Sequence, residues 1–233
     1  MPTRPRRQSD AAARPSAKGM ARQHIVFAVL LPLAFLGLVC PGVVRADAGA
    51  AHYMRGLRAK LEYCTDCHGS SGRGYRGFYV MPRLAGQTPE YIENQLRAFL
   101  EGTRQSHTGM IMSRVHGIGP AMRSALADRF ADLNPRPYGR APGRLAERGK
   151  QIYEEGIPDA NVPACSVCHG PEAEGQGPNP RLAGQLYAYT IEALANWDRE
   201  RGGAAHSKVM QPIAQSLSRS EMEAVAAYLS TLN

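Results

Sequence analysis

Apolar side chains recur at helical spacing in several segments of the chain. Thr88 and Pro89 precede a stripe formed by Ile92, Leu96 and Phe99. Threonine at the N-cap and proline at the first helical position are signals of a helix start. The same spacing predicts helices over residues 50–63, 121–133, 144–153, 187–197 and 220–232. No convincing alternation typical of strands interrupts them, so the pattern predicts an all-α fold.

The first 48 residues differ from the rest of the chain. They hold seven Lys/Arg against Asp10 and Asp47, and the 16 residues at 25–40 form an apolar run. Residues 46–48 read Ala-Asp-Ala, which fits the small-x-small rule of signal peptidase. We therefore predict a cleaved signal peptide at 1–48 and export to the periplasm. An uncleaved anchor is the competing interpretation, although the run is short for a span of about 20 residues; lipid attachment at Cys40 is less favoured.

The remainder of the chain is a tandem repeat. Residues 64–69 read CTDCHG and residues 165–170 read CSVCHG, and PRLAGQ occurs at both 82–87 and 180–185. Later landmarks, including Met112 and Met210, keep the same order and an offset of 98 residues. The predicted domains are therefore 49–134 and 144–233, joined by a Pro- and Gly-rich linker at 135–143 that cannot continue a helix.

The paired cysteines indicate the chemistry of each repeat. Cys-x-x-Cys-His is the attachment pattern of a c-type haem, because two thiols three positions apart can add to the two vinyl groups of one porphyrin. The following histidine can then bind the iron. We predict two covalent haem c groups, held by Cys64, Cys67, Cys165 and Cys168, with His68 and His169 as iron ligands. A Cys₄ zinc site and a redox disulfide are the alternatives, and both leave the histidines unexplained.

Such a haem would also complete the hydrophobic core of each domain. A domain of about 90 residues struggles to bury enough apolar surface unaided, and a large apolar cofactor supplies the missing core.

Several side chains are candidates for the sixth iron ligand of each haem. The repeat favours Met112 and Met210, because both lie at the same distance from the PRLAGQ landmarks. The alternatives in the first copy are Met81, Met110, His107 and His116, and His206 in the second. A thioether ligand favours Fe(II), raises the reduction potential and leaves no coordination position for a substrate. This ligation therefore indicates electron transfer rather than catalysis.

The PRLAGQ segments are expected to surround the haem groups. The carbonyls of Pro82 and Pro180 are candidates to accept the Nδ1–H of the proximal histidine. Arg83 and Arg181 are candidates to pair with haem propionates, with solvated arginines as the alternative. Phe99 and Trp197 are expected to pack in the haem pockets.

These motifs in this order resemble the c4-type dihaem cytochromes over nearly all of the mature chain. The resemblance implies two class I cytochrome c folds packed across a pseudo-twofold axis, with haem groups that exchange electrons. It also implies a periplasmic location, either soluble or loosely membrane-associated. The first copy departs from the pattern, because it has a longer stretch between CHG and PRLAGQ and a Gly-Ile-Gly-Pro segment after His116.

The function expected from these features is that of an electron carrier, not an enzyme. The resemblance implies delivery of electrons in a respiratory chain towards a terminal oxidase, from a donor such as a bc1-type complex or a dehydrogenase. A cytochrome subunit of a dehydrogenase complex, such as flavocytochrome c sulfide dehydrogenase, is the alternative, followed by a dihaem enzyme. Of the formal charge of +8, only +3 lies outside residues 1–48, and no basic patch with interleaved aromatics indicates nucleic-acid binding.

Overall fold

The computed structural model describes residues 41–106, 112, 115, 117–139 and 143–233, with side chains described from residue 48 onward. The predicted signal segment therefore lies almost entirely outside the described residues, as do His107, Met110 and His116. Residues Gly42–Asn233 form one compact unit. None of the helices in this described part combines the length and the apolarity that crossing a bilayer requires.

The described residues form nine α-helices, two 3₁₀ helices at Pro158–Ala160 and Ala205–Ser207, and one two-stranded sheet. The helices are α1 Pro41–His68, α2 Pro89–Leu100, α3 Pro120–Ala131, α4 Gly143–Glu155, α5 Ser166–His169, α6 Tyr187–Ala195, α7 Trp197–Arg201, α8 Met210–Ser216 and α9 Arg219–Thr231. The strands are β1 Tyr75–Arg76 and β2 Val80–Met81. Helices α1–α3 precede the predicted linker, α4 begins at its last residue, and α5–α9 follow it, which matches the order of the two sequence copies.

Helix α2 begins as the sequence predicts. Thr88 has an extended backbone, and its side-chain oxygen accepts a hydrogen bond from the backbone N–H of Tyr91 at 3.3 Å. Pro89 occupies the first turn, where its missing N–H costs no helical hydrogen bond. The buried face includes Ile92, Ala98 and Phe99. The stripe of apolar residues therefore becomes the inner face of this helix.

The core of the second copy lies where its opening helix α4 meets its final helix α9. Gly149 of α4 lies against the backbone of α9, and a Cβ placed on it would overlap the carbonyl oxygen of Ala224. Ile152 and Tyr153 of α4 pack with Val225 and Leu229 of α9 in one buried cluster. Only a glycine allows two helix backbones to approach so closely, and the approach brings these side chains into contact.

The first copy has two smaller apolar clusters. Ile92, Ala127 and Phe130 pack together, with partly buried Leu61 and Cys64 of α1 against them. A second cluster joins Val115, Ile118 and Leu126, and Met112 packs against it. Helix α1 therefore contributes to both clusters, and it extends further at both ends than the predicted residues 50–63.

Two expectations about secondary structure were wrong. Residues 75–81 form a short antiparallel hairpin, with Tyr75 paired to Met81 and Arg76 to Val80, although no strand was expected. Two residues per strand are too few to produce a readable alternation. In addition, α6 ends at Ala195 and a separate helix α7 begins at Trp197, whereas the sequence predicted one helix over 187–197.

Candidate functional site

The first Cys-x-x-Cys-His motif lies at the C-terminal end of α1. His68 is the last residue of that helix and is buried, with 6% of its surface exposed. Its Nδ1 lies 2.9 Å from the carbonyl oxygen of Pro82. The bond engages Nδ1, so Nε2 is the nitrogen left to bind an iron.

The second motif repeats this geometry in a different local structure. Cys165 precedes the short helix α5, which ends at His169. His169 is also buried, and its Nδ1 lies 2.9 Å from the carbonyl oxygen of Pro180. The hydrogen bonds expected at Pro82 and Pro180 are therefore both present. A long helix and a single helical turn deliver the same arrangement of imidazole and carbonyl.

Burial determines the charge state of both histidines. Removal from water lowers the pKa of His68, the hydrogen bond to Pro82 opposes that change, and the positive charge of Arg104 adds to it. Burial likewise lowers the pKa of His169, against the hydrogen bond to Pro180. Both imidazoles are therefore neutral at pH 7 with the proton on Nδ1, which is the form that binds a metal through Nε2.

None of the four cysteines of the two motifs is paired in a disulfide. Burial raises the pKa of Cys165 to about 11 and also raises that of Cys64. In the described part of the chain, no three His, Cys, Asp or Glu side chains come close enough to hold one metal ion. The structure thus contradicts the Cys₄ zinc alternative, because it keeps the two cysteine pairs apart.

The two candidate methionine ligands lie in different surroundings. Met210 is the first residue of α8, directly ahead of the final helix α9. Met112 is partly buried against the cluster of Val115, Ile118 and Leu126. Trp197 lines a cavity of about 350 Å³ in the second copy, together with Leu194, Ala214, Leu217 and Met222. Binding of iron by Met112 and Met210 remains a prediction.

Arg83 and Arg181 are not equivalent. Only 3% of Arg83 is exposed, so the solvated alternative is wrong for this residue. Its guanidinium donates to the carbonyl oxygens of Ala85 at 3.0 Å and Pro135 at 2.8 Å. The Nε of Arg181 is buried without a hydrogen-bond partner in the described structure, which leaves this donor for an external acceptor.

A second group of arginines joins the two copies. The hydroxyl oxygen of Tyr189 accepts hydrogen bonds from Arg104 at 3.1 Å and from Arg201 at 2.8 Å. Arg104 lies over the ring of Phe99, and Arg201 over the ring of Trp197. Burial would raise the pKa of Tyr189, but these two positive charges lower it. Each copy therefore supplies one arginine stacked on its own aromatic residue and directed at the same hydroxyl.

The buried charges of the described residues do not balance. Apart from histidines, the buried ionisable side chains that carry charge are Arg83, Arg104, Arg201 and Glu200. The Nε atoms of Arg104 and Arg201 are buried and have no partner among the described atoms. Buried charge is costly unless it is paired, so this excess of positive charge fits a carboxylate-bearing cofactor. Haem propionates would supply such carboxylates, and the residues present fit a haem.

The glutamines of the two PRLAGQ segments connect the copies reciprocally. The N–H of Arg83 donates to Oε1 of Gln185 at 2.8 Å, and Nε2 of Gln185 donates to the carbonyl of Arg83 at 3.0 Å. The N–H of Arg181 donates to Oε1 of Gln87 at 2.7 Å, and Nε2 of Gln87 donates back to Arg181 at 3.0 Å. This exchange of equivalent bonds is the local signature of a pseudo-twofold axis.

Sequence reasoning did not find these interface residues. The signal was available, because LAGQ is retained unchanged in both copies although much of the intervening sequence differs. The sequence predicts that the whole segment belongs to the haem pocket, whereas in the structure its glutamines hydrogen-bond to the opposite copy.

Comparisons with known proteins agree with this site. The family described as Cytochrome c matches residues 146–233. A cytochrome c-552 of Acidithiobacillus ferridurans is 35% identical over 215 residues, which cover 91% of this chain and 88% of the relative. A thiosulfate dehydrogenase electron acceptor of Thiomonas intermedia is 33% identical over 170 residues, covering 71% and 76%. The solved cytochrome c4 of Acidithiobacillus ferrooxidans superposes with a TM-score of 0.65 at 37% identity, covering 72% of this chain and 98% of the other.

The family, the fold and the cofactor follow together from these findings. The expected all-α fold of two tandem class I cytochrome c domains is confirmed, and so are the two covalent haem c groups. The protein is an electron carrier rather than an enzyme. The chain belongs to the c4-type dihaem cytochromes c.

Proposed function

We propose that this protein passes single electrons through two haem groups in a periplasmic respiratory chain, towards a terminal oxidase. The first haem is held by Cys64, Cys67 and His68, with Met112 as the sixth ligand. The second is held by Cys165, Cys168, His169 and Met210. A bc1-type complex or a dehydrogenase is the donor, and cleavage of residues 1–48 releases the mature chain into the periplasm, soluble or loosely attached to the membrane.

The way in which the two proximal histidines are held at the interface of the copies supports the proposal. The carbonyl that holds each proximal histidine is immediately followed by the N–H that bonds to the opposite copy, at Arg83 and at Arg181. The two histidines are thus tied to the same interface, and a fixed separation of the two iron sites supports electron exchange between them. Methionine ligation would close both irons to substrates and raise their potentials, as a carrier requires.

A second candidate function has a specific observation in its favour. The 33% identical relative from Thiomonas intermedia is named a thiosulfate dehydrogenase electron acceptor. The same two-haem architecture would serve here as the electron acceptor of a dehydrogenase that oxidises an inorganic sulfur compound, either as a tightly bound subunit or as a partner that dissociates. A role as the cytochrome subunit of flavocytochrome c sulfide dehydrogenase is an alternative of the same kind.

The test uses the native protein purified from periplasm and membranes under mild conditions. We expect one species of about the mass of the mature chain on size exclusion, two one-electron steps on spectroelectrochemical titration, and oxygen consumption by membranes supplied with the reduced protein. Co-elution with a larger oxidoreductase would support the subunit alternative instead. Ready binding of CO at one reduced haem would contradict a pure carrier, because it requires an open or easily displaced sixth position.

A further inference from the structure

The peptide unit that joins Pro82 to Arg83 is hydrogen-bonded at both ends. Its carbonyl oxygen lies 2.9 Å from Nδ1 of His68, and its N–H donates to Oε1 of Gln185 at 2.8 Å. His68 belongs to the first copy and Gln185 to the second. A continuous chain of hydrogen bonds therefore connects the proximal histidine of one copy to a side chain of the other.

The same chain occurs in the opposite direction. The carbonyl of Pro180 lies 2.9 Å from Nδ1 of His169, and the N–H of Arg181 donates to Oε1 of Gln87 at 2.7 Å. Every step has its counterpart, with distances that agree within 0.1 Å. Both proximal histidines are therefore linked to the copy that does not contain them.

Each glutamine is fixed in one orientation. Gln185 also accepts from the N–H of Leu186 at 2.9 Å, and Gln87 accepts from the N–H of Thr88 at 3.0 Å. With the donation from Nε2 to the arginine carbonyl, each amide makes three hydrogen bonds, and both side chains are buried. A buried amide held in this way cannot rotate to exchange its acceptor for its donor without losing all three bonds.

The electronic consequence follows from amide resonance. The C=O of residue 82 and the N–H of residue 83 share one conjugated peptide group, so an acceptor on the N–H increases the negative charge on the carbonyl oxygen. Hydrogen bonds in such a chain strengthen one another. A stronger acceptor at Nδ1–H makes the imidazole a better donor to a metal bound at Nε2. A better donor stabilises Fe(III) and lowers the reduction potential.

We propose that Gln185 and Gln87 are positioning residues that act crosswise: Gln185 of the second copy sets the donor strength of His68 in the first, and Gln87 sets that of His169. The interface then does more than hold the copies together, since each copy adjusts the reduction potential of the other. This inference rests on the proposed function, because it takes His68 and His169 as the iron ligands.

The experiment compares two matched variants of the holoprotein, Gln185→Leu and Gln87→Leu. The two haem potentials are followed separately through the NMR signals of each haem during a redox titration. Gln185→Leu is expected to raise the potential of the first haem and to leave that of the second unchanged, and Gln87→Leu is expected to do the reverse. Each variant is thus the control for the other, since both remove the same number of interface bonds.

A second readout separates tuning from mere loosening of the interface. In the reduced, diamagnetic protein, the Nδ1–H proton of His68 should move upfield in Gln185→Leu while that of His169 stays in place. Gln185→Glu, which keeps a stronger acceptor at the same position, should lower the first potential below the wild-type value in mildly alkaline buffer. Its correct folding is checked by circular dichroism and by a haem content of two.

Unchanged potentials, or two potentials that move together, would overturn the crosswise assignment. Neither outcome would affect the proposed function, because a protein with two methionine-ligated haem groups would still carry electrons. Conversely, a wild-type protein without two such groups would defeat the proposed function before the variants are made.

Discussion

The two copies in this chain hold their proximal histidines identically and build the surrounding helices differently. In both, a buried histidine lies 2.9 Å from a proline carbonyl. The backbone N–H of the arginine that follows this proline donates a hydrogen bond to the opposite copy. Around that common centre, the first copy presents His68 from the end of a 28-residue helix, and the second presents His169 from a 4-residue turn. The geometry of histidine and carbonyl is therefore more alike in the two copies than the helices that deliver the histidines.

The remaining differences lie away from the histidines. The second copy has a close crossing of its opening helix α4 and α9 at Gly149, whereas Gly56 in the opening helix α1 of the first copy has only the flexible end of Met122 at 3.8 Å. The first copy alone has the hairpin at 75–81, where 93% of Phe78 is exposed. We conclude that the copies share the constraints of the haem and the interface, and that each solves its own core packing.

The largest expected difference between the copies concerns one glycine in each opening helix, Gly149 of α4 and Gly56 of α1. In Gly149→Ala the new methyl group would overlap the backbone of α9, so we expect a loss of at least about 3 kcal/mol in the free energy of unfolding. Gly56→Ala meets no such obstacle, and the helix preference of alanine should stabilise the protein by about 0.5–1 kcal/mol. Guanidinium unfolding of the holoproteins measures both changes. Equal destabilisation by the two variants would contradict the proposed difference in packing.

Substitution of the glycine that faces the interface should destabilise the two copies alike. Gly86 and Gly184 have positive φ angles of 73° and 70° and lie against Arg181 and Arg83 of the opposite copy. Alanine at either position is expected to cost about 1–3 kcal/mol, because of backbone strain and contact with the arginine. Thermal unfolding of the two single variants should give nearly the same loss. Clearly different losses of stability in the two variants would show that the packing at the interface is less symmetric than the pattern of its hydrogen bonds.

The smallest expected effect concerns the start of the final helix. Ser218 caps α9 and exchanges hydrogen bonds with Glu221, whereas α3 has Gly119 at its N-cap and no side-chain cap. Ser218→Ala should therefore cost about 1 kcal/mol, and Gly119→Ser should stabilise the first copy by a few tenths of a kcal/mol. Denaturant unfolding at pH 7 measures the free energy of unfolding of both variants relative to the wild-type protein. No loss in Ser218→Ala would mean that the cap contributes nothing measurable.

The same cap predicts a dependence on pH. The hydrogen bonds of the Ser218 side chain and backbone lower the pKa of Glu221 in the folded protein. A carboxyl whose pKa is lowered by folding stabilises the protein above its unfolded pKa of about 4.3, and this contribution is lost as the pH falls through the folded pKa. The cost of Ser218→Ala should therefore be complete at pH 7 and shrink below about pH 4. A cost that is constant with pH would contradict a role for the ionised carboxylate.

The sequence was sufficient for the parts of this structure that depend on local spacing. The N-cap at Thr88 and the carbonyls of Pro82 and Pro180 could be predicted, because these features involve residues near one another along the chain or repeated in both copies. The bonds from Gln87 and Gln185 span more than 90 residues, and no local pattern states which surfaces of two repeated domains will meet. The hairpin at 75–81 was missed because its strands are too short to show alternation.

The equivalence of the two haem sites is tested most directly by the far-red absorption band that a methionine bound to Fe(III) produces. We expect Met112→Ala and Met210→Ala each to remove about half of the band's intensity, with haem content unchanged and Met110→Ala without effect. A band that keeps its full intensity in Met112→Ala would contradict the account, because the first haem would then have a different sixth ligand and the two copies would not be equivalent at the iron.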